Sequence, residues 1–432
     1  MPETKLIIDR VHAARYKMPF KKPFVTARKV NEDTTNCIIR VHAQGDDGHI
    51  LGVGESQPKS AVTGDLGPNR AWNYIVDAVA LLEGKEIDIS STASARQSIR
   101  EALVDVDELA RDQSTKENRE HPFRGSRVGF EMALLDLAAK GMGVSVVELL
   151  GGSQRETVTA TAYTLSANNT VDEISRKVKF WNKKVGVNRV KVKGDLEENL
   201  GWLRAIHSAN VSAGAVKPIW IDFNESFNVE QGKTLVQRLS QEIKEGNLPE
   251  TLTLEQPYPK AEGVHLPALQ KAADQAVETA GVGDIRIMPD ESLWDVEDLE
   301  RIHEAGGCKA INIKMAKAGG LLTSMDIAER AVELNPNTYL YIGGIIGASD
   351  LTAWGLHHLA RAFPRLDYFS QTPPRNLLER ITEPPLRVKK GTFTHVNTRA
   401  PGMGVELEYQ SVVPYIDRQV WHPAPPKESC WD

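Results

Sequence analysis

The chain has 432 residues, of which 41% are hydrophobic and 25% are charged, and its formal net charge is -6. This composition is typical of a globular protein of two or three domains, and the mildly acidic balance argues against a nucleic-acid partner. Three widely spaced cysteines indicate neither a disulfide framework nor a cysteine metal cluster, and no apolar stretch approaches the roughly 18 residues that span a bilayer. We therefore expect a cytoplasmic protein, without a membrane partner, that binds small molecules or further copies of itself.

Residues 1–150 predict a small α+β domain in which strands precede helices. The strand-like runs are KLIIDRVHAARY, NCIIRVHAQ and LGVGES, and the helical patterns are AWNYIVDAVALLEG and RVGFEMALLDLAAKGMG. Both helical patterns end at glycine, the usual stop signal of a helix. Between them, the polar segment ELARDQSTKENREHPFRGS (residues 108–126) predicts a surface loop, partly disordered, with no assignable chemistry.

From about residue 155, short apolar runs alternate with helical stretches. Eight runs begin roughly 30 residues apart, which is the length of one βα unit. They are TVTATAYTL at 157, RVKVK at 189, IWIDFN at 219, LTLEQP at 252, IRIMPDES at 285, AINIKM at 310, YLYIGG at 339 and YFSQT at 368. Eight successive units predict a (β/α)8-type barrel over residues 151–385, with a doubly wound open sheet as the alternative. Because no G-x-G-x-x-G follows the first run, we prefer the barrel.

The remaining residues, 386–432, are rich in proline. We predict that this C-terminal segment returns to the N-terminal domain or reaches a neighbouring subunit.

Acidic residues collect where the strands of such a barrel end, which is where barrel enzymes carry their active sites. Asp222, Glu255 and Asp290 follow three consecutive predicted strands. A single acidic residue there is more often a helix cap than a ligand. Three on neighbouring strands would converge and need a cation to offset their repulsion, and hard oxygen ligands suit Mg2+. The pattern therefore predicts a magnesium site.

Lysines flank that predicted site. Lys191 and Lys193 lie one residue apart, so a strand would point both to one face, and Lys314 ends the sixth run, four strands away. On an exposed edge such a pair is ordinary, whereas in a buried site each ammonium lowers the pKa of the other and makes a lysine usable as a base. A metal between opposed bases suits removal of a proton next to a carboxylate, because the resulting enediolate needs positive charge.

These motifs resemble the enolase superfamily, in particular its muconate lactonizing enzyme subgroup. The resemblance lies in K-V-K at 191, D-F-N at 222, E-Q-P at 255, D-E-S at 290 and N-I-K-M-A-K-A-G-G at 312. GFEMALLDLAAKGMGVSVVELLGG is similar to the segment that joins the family's N-terminal capping domain to its barrel. A lysine or histidine base with one or two Mg2+ ions is an established pattern of that superfamily.

The resemblance implies a role for each charged residue of the motifs. Asp222, Glu255 and Asp290 would be the metal ligands, and Lys193 and Lys314 would be the acid/base catalysts. Lys191 would be the electrostatic helper. The residues that support the ligands would be Asn224, Glu291 and Lys317. Mandelate-racemase-like members have a histidine in place of the lysine of the sixth strand. Lys314 therefore speaks against that subgroup.

The substrate stays open, because racemisation, epimerisation, cycloisomerisation and dehydration all begin with the same enolate. Dipeptide epimerases resemble one another in an Asp-x-Asp before Thr-Pro at the eighth strand, where this chain has Phe369, Ser370 and Gln371. A free α-ammonium therefore lacks its usual partner. An N-acylated or quaternary amino acid, or a non-amino carboxylate, fits better, and we expect Gln371 to contact it.

The segment MPFKKPFVTARK (residues 18–29) lies where the family's mobile capping loop would be. Its basic residues Lys21, Lys22 and Arg28 would meet a second substrate carboxylate, and Phe20 and Phe24 would pack on an apolar or cationic group. An ordinary surface or core position explains each of them equally well.

We predict a Mg2+-dependent racemase or epimerase of an amino-acid derivative, of the N-acyl amino acid, dipeptide or betaine type, and expect a homo-oligomer. The same residues allow a muconate-like cycloisomerase or a dehydrating lyase similar to o-succinylbenzoate synthase. A barrel that has kept the fold and the metal but only binds or supports other molecules is the non-catalytic alternative. Exchange of the substrate's α-proton would separate the enzymes from that alternative.

Overall fold

A computed structural model describes residues 4–25, 30–45, 48–159, 162–165, 170–184, 189–193, 196–212, 214, 217–370, 376–389, 392–394 and 399–424. Strands and helices are numbered below in chain order. Within these residues, none of the helices combines the length and the apolar character that crossing a bilayer requires.

The N-terminal domain is built on an antiparallel sheet. Its strands are β1 (Lys5–Val25), β2 (Val30–Gly45), β3 (Gly48–Ser56), β4 (Glu86–Asp88) and, from the far end of the chain, β17 (Ile416–His422). The order is β17-β1-β2-β3, and β4 also pairs with β1. The three predicted strand runs are confirmed, and the chain's last described strand is hydrogen-bonded to its first.

Five helices complete this domain: α1 (Pro68–Val79), α2 (Thr92–Ala102), α3 (Val104–Asp112), α4 (Arg124–Gly141) and α5 (Val146–Leu149). Helix α4 lies so close to β3 that a Cβ atom at Gly52 would come within 2.1 Å of the carbonyl oxygen of Ala133. The glycines of LGVGES thus allow the helix to pack directly on the sheet backbone. Both predicted helices of this region are confirmed, as α1 and α4.

All eight predicted barrel runs form strands. They are β5 (Ala162–Leu165), β6 (Arg189–Lys193), β7 (Ile219–Asp222), β8 (Thr251–Glu255), β9 (Asp284–Met288), β10 (Ala310–Ile313), β11 (Tyr339–Ile342) and β12 (Tyr368–Phe369). Parallel pairing runs in chain order from β5 to β9 and from β10 to β12. The backbone N–H of Asn312 joins the two series by donating to the carbonyl of Pro289 at 3.2 Å.

Strand order that never reverses is the order of a (β/α)8-type barrel, whereas a doubly wound sheet reverses at its switch point. The helices between and after the strands are α6 (Val171–Lys184), α7 (Leu196–Ser212), α8 (Val229–Lys244), α9 (Leu266–Ala280), α10 (Val296–Glu304), α11 (Met315–Ala318), α12 (Leu321–Leu334) and α13 (Asp350–Ala362). The expected fold, a barrel with an N-terminal capping domain, is confirmed.

After the barrel come short elements: β13 (Thr382–Glu383), β14 (Arg387–Lys389), β15 (Thr392–Thr394), β16 (Glu406–Leu407) and α14 (Tyr409–Val412). Strand β13 pairs with β16 and β14 with β15, before β17 joins the capping sheet. The domain limits set from the sequence stay a prediction.

Two loop predictions were wrong in part. Residues 18–25 of the expected capping loop belong to β1, in which residues 18, 19, 24 and 25 pair with β2, and residues 26–29 lie outside the described residues. In the polar segment 108–126, α3 runs to Asp112 and α4 begins at Arg124. Between them residues 113–123 form a loop, as predicted, in which Lys116, Glu117, Arg119 and Glu120 are exposed. Asn118, His121 and Phe123 of the same loop are buried against the rest of the protein.

The capping domain is tied to the barrel by the buried carboxylate of Glu55 at the end of β3. One of its oxygens accepts hydrogen bonds from the hydroxyl of Ser349, at 2.7 Å, and from the backbone N–H of Thr352, at 3.3 Å, at the start of α13. The other accepts from the side-chain amide of Asn36 at 2.7 Å and from the hydroxyl of Tyr16. A carboxylate at a helix N-terminus is favourable because it meets unpaired N–H groups and the positive end of the helix dipole.

A second buried carboxyl, Asp65, generates a prediction about stability. It accepts hydrogen bonds from the hydroxyls of Thr63 (2.7 Å) and Ser126, yet burial raises its pKa to about 7. The folded state therefore holds this proton more tightly than the unfolded state does, so its contribution to stability is full below pH 4 and is lost as the pH rises to about 7.

We expect Asp65→Asn to remove this dependence of stability on pH. Between pH 4 and pH 8, the free energy of unfolding of the variant should therefore rise relative to that of the wild type by on the order of 3 kcal/mol. Urea unfolding of both proteins across this range measures the difference. Parallel stability curves would contradict the assignment.

Candidate active site

Three carboxylates stand at one end of the barrel. Asp222 is the last residue of β7, Glu255 is the last residue of β8, and Asp290 follows the end of β9 by two residues. Asp222 and Glu255 are neighbours in the parallel ladder. All three residues are at most 1% exposed. Three negative groups buried so close together repel one another and need positive charge nearby.

Two lysines after β10 supply part of that charge. The ammonium of Lys314 contacts the carboxylate of Asp290 and lies 3.6 Å from Oε1 of Glu255. The ammonium of Lys317 donates to Oδ1 of Asp290 at 2.6 Å and to the carbonyl of Leu293 at 3.1 Å. The structure thus brings Lys314 to two of the predicted ligands, and Lys317 to one of them, Asp290.

The two lysines differ in the direction of their pKa shifts. Burial lowers the pKa of Lys314, but the attraction of Asp290 and Glu255 outweighs it and leaves the pKa above its ordinary value. For Lys317, which is 2% exposed, burial dominates and the pKa is lowered. Lys314 is therefore protonated as long as it neutralises these carboxylates.

The predicted supporting residues Asn224 and Glu291 lie at the same end. Asn224 has a φ of 44°, in the left-handed region that asparagine tolerates, and its backbone N–H donates to Oδ1 of Asp222 at 3.0 Å. Its side-chain amide donates to Oε1 of Glu291 at 3.4 Å. Burial and the charge of Asp290 raise the pKa of Glu291 to about 7.

The donor set fits a divalent cation. Its ligand atoms are buried carboxylate oxygens, which Mg2+ prefers, and an ammonium already contacts Asp290. Among the described residues, Oε2 of Glu291 is buried without a hydrogen-bond partner. A buried oxygen of this kind is expected beside a site that takes a cation.

Lys191 and Lys193 lie on β6 in the expected register. In the ladder Lys191 is opposite Trp220, and Lys193 is opposite Asp222. The positions of both lysine side chains lie outside what the structure describes, so their pairing stays a prediction. Arg28, Gln371 and the side chain of Phe24 lie outside it as well.

The described members of the predicted substrate-binding set lie at the edge of the capping domain. Phe20 forms a β-bridge to Leu377 and packs, partly buried, against the core. The next residue, Lys21, donates its backbone N–H to the carbonyl of Asn376 at 2.6 Å, and Lys22 is exposed. The end of β1 therefore contacts the segment that follows the eighth barrel strand.

Sequence reasoning missed His121, which lies in the segment expected to carry no chemistry. Its imidazole lies 3.4 Å from Asp295 and 3.7 Å from Asp298, and stacks on Trp294 with ring centroids 4.6 Å apart. No local signal in the sequence marks this histidine, because its partners lie far away along the chain, at the start of α10.

The His121 cluster has the size of a metal site, since one ligand atom from each of its three residues lies within 4.8 Å of the others. However, Asp298 already contacts Arg301 and accepts the backbone N–H of Trp294 at 2.8 Å, and Arg124 lies 3.8 Å from Asp295. Arginines that occupy the carboxylates disfavour a further cation. We therefore interpret the cluster as an ion-paired contact between the capping domain and the barrel.

Comparisons with known proteins agree with the barrel fold described above. A family model described as "Enolase C-terminal domain-like" matches residues 173–411. The chain is 28% identical over 301 residues to an o-succinylbenzoate synthase from Bacillus subtilis, covering 68% of this chain and 72% of the relative. It is 23% identical over 411 residues to a chloromuconate cycloisomerase from Cupriavidus necator, covering 94% and 98% of the two chains.

A solved structure is similar over nearly the whole chain. It is a dipeptide epimerase from Cytophaga hutchinsonii, determined in complex with Mg and the dipeptide D-Ala-L-Val. The TM-score is 0.76 at 21% identity, and the match covers 96% of this chain and 99% of the other. At this identity the likeness establishes the fold, and the reactions of these three relatives differ.

We expect His121→Ala to leave the number of Mn2+ ions bound per chain unchanged, whereas Asp222→Asn weakens Mn2+ binding at least tenfold, because a predicted ligand loses its charge. Electron paramagnetic resonance of free Mn2+ during a titration measures both. Loss of a bound ion in His121→Ala would show that the cluster holds a metal.

Proposed function

The chain belongs to the enolase C-terminal domain-like family, and on that basis we propose that it is a Mg2+-dependent isomerase that removes the proton α to a carboxylate. The observation that carries the proposal is the set of buried carboxylates at the ends of consecutive strands, contacted by the ammonium of Lys314. The reaction we propose is racemisation or epimerisation of an amino-acid derivative.

Asp222, Glu255 and Asp290 are the residues that would hold the metal. Bound there, Mg2+ supplies positive charge beside the substrate carboxylate, where negative charge develops when the α-proton leaves. Lys317 and Asn224 hold two of these carboxylates, Asp290 and Asp222, by the hydrogen bonds described above. Glu291 adds a further carboxyl next to Asp290.

Lysines move the proton in this proposal. Lys193 ends β6 and Lys314 follows β10, four strands further round the barrel. In a barrel of eight strands these positions are opposite each other, so one lysine takes the proton from one face of the α-carbon and the other returns it on the opposite face. Lys191 would lower the pKa of Lys193 by repulsion.

For the substrate, we propose an N-acyl amino acid or a betaine-type amino acid in preference to a dipeptide, because a dipeptide carries a free ammonium group. The eighth strand ends in Phe369 followed by Ser370, without the acidic pair that would bind a free ammonium group. Gln371 and the basic residue Lys22 are the proposed contacts to the rest of the substrate. A homo-oligomeric state and a cytoplasmic location stay predictions from the sequence.

The test of this function is exchange in D2O with Mg2+ and a panel of N-acyl amino acids, dipeptides, betaines and unsaturated diacids, followed by NMR. Loss of the α-hydrogen from both enantiomers of one substrate is the expected result. A new product formed from one enantiomer alone would favour a cycloisomerase or a lyase. No reaction across the panel would contradict the proposed substrate class.

We expect Lys193→Ala and Lys314→Ala each to lower racemisation by at least a thousandfold while Mn2+ still binds, because one face of the α-carbon then lacks the lysine that takes or returns the proton. Lys309→Ala is the matched control. Lys309 directly precedes β10, at the other end of the strand that leads to Lys314, where it pairs with Asp274 at 2.7 Å. Retained turnover in either site variant would refute the two-base assignment.

Removal of divalent cations with EDTA should abolish exchange of the substrate's α-proton, and added Mg2+ should restore it. Without the cation, only protein groups balance the negative charge of the three carboxylates. Glu255→Gln should raise the Mg2+ concentration needed for half-maximal activity by at least tenfold. Full activity in EDTA would contradict the metal assignment.

A further inference from the structure

We propose that Trp220 is a positioning residue of the metal site, whose indole N–H fixes the orientation of the Glu255 carboxylate. The inference rests on the proposed function, because it takes Glu255 to be a metal ligand. It concerns a side chain that, judged from the sequence, is simply one apolar residue in the run IWIDFN.

The register of β7 and β8 places Trp220 one layer below the site. In this ladder Asp222 is opposite Glu255, and Trp220 is opposite Thr253. Because side chains two residues apart in a strand point to the same face, Trp220 lies on the same side of β7 as Asp222. From there its Nε1 reaches diagonally to the next strand and donates to Oε2 of Glu255 at 2.7 Å.

A second donor holds the other oxygen. The side-chain amide of Asn312, on β10, donates to Oε1 of Glu255 at 2.8 Å. Donors on β7 and β10 therefore hold both oxygens of Glu255 and determine the plane in which its carboxylate lies. An indole N–H can only donate, so Trp220 and Asn312 together supply one donor to each oxygen of the Glu255 carboxylate.

Trp220 is itself held in place by buried aromatic rings. It is 0% exposed and meets the ring of Tyr341 edge-on, with centroids 5.1 Å apart at 85°. The hydroxyl of Tyr341 is hydrogen-bonded to Thr253 at 2.7 Å, and its ring lies 4.1 Å from that of Tyr368. A close-packed layer allows the indole few other rotamers, so the direction of its N–H is determined before any ligand binds.

An alternative is that Trp220 only fills space in the barrel. The two roles are separable, because Trp220→Phe keeps an aromatic ring but removes the donor. The matched control is Tyr341→Phe, which changes the same aromatic layer by removing the hydroxyl that meets Thr253. Thermal unfolding establishes that each variant is folded at the temperature of the assay.

The measurement is Mn2+ affinity by electron paramagnetic resonance, together with the spectrum of the bound ion. Loss of a residue that orients a metal ligand weakens affinity by about 10–100-fold, and this is the expected effect of Trp220→Phe, with an altered bound-ion spectrum. For Tyr341→Phe we expect an affinity within about twofold of the wild type. Equal weakening in both variants would show that packing alone matters and would overturn the proposal.

Mn2+ binding to the wild type distinguishes failure of the positioning role of Trp220 from failure of the metal assignment. If it binds Mn2+ and Trp220→Phe binds it equally well, the positioning role fails while the proposed function stands. If the wild type binds no Mn2+, the metal assignment and the positioning role fail together.

A second measurement needs no variant. In wild-type protein labelled with 15N-tryptophan, an indole N–H bonded to a metal ligand should shift when Mg2+ is added. If Trp220→Phe does not fold, this signal decides, and no indole shift at saturating Mg2+ would overturn the proposal.

Discussion

Buried negative charge at the carboxyl ends of β7, β8 and β9 is the constraint on which the site depends. Asp222, Glu255 and Asp290 are at most 1% exposed, and each is met by donors from other elements. Burial makes an unbalanced charge costly, so the surrounding residues are lysines, amides and an indole N–H. In the proposed function, a divalent cation would complete that balance and supply the positive charge that proton removal next to a carboxylate needs.

The capping domain acts on this site through the helices that follow β10. Arg127 of α4 donates to the carbonyl of Gly319 at 2.7 Å, and Oε1 of Glu131 accepts the N–H of Leu322 at 2.9 Å. A Cβ atom at Gly320 would lie 2.1 Å from Oε1 of Glu131, so a larger residue there would displace the carboxylate that accepts the N–H of Leu322. These contacts hold the turn between α11 and α12, directly after Lys317, so the position of the lysines depends on both domains.

Much of the fold could be predicted because the alternation of apolar runs and helical patterns is local. All eight barrel strands and the residues at their ends follow from it, as does the meeting of Asp222, Glu255, Asp290 and Lys314 at one end. The errors arose where structure depends on distant partners. Residues 18–25 belong to a strand because β2 pairs with both ends of this stretch, and His121 is buried because α10 brings Asp295 and Asp298 to it.

The sequence by itself determined the order of strands, the acidic and basic residues at their carboxyl ends and the resemblance to a superfamily, since period and residue type can be read along the chain. Only the tertiary structure decided that Lys314 contacts Asp290, that the pKa of Lys314 is raised, and that Trp220 donates to Glu255. These depend on distances between strands, which register and barrel closure set and which no local pattern contains.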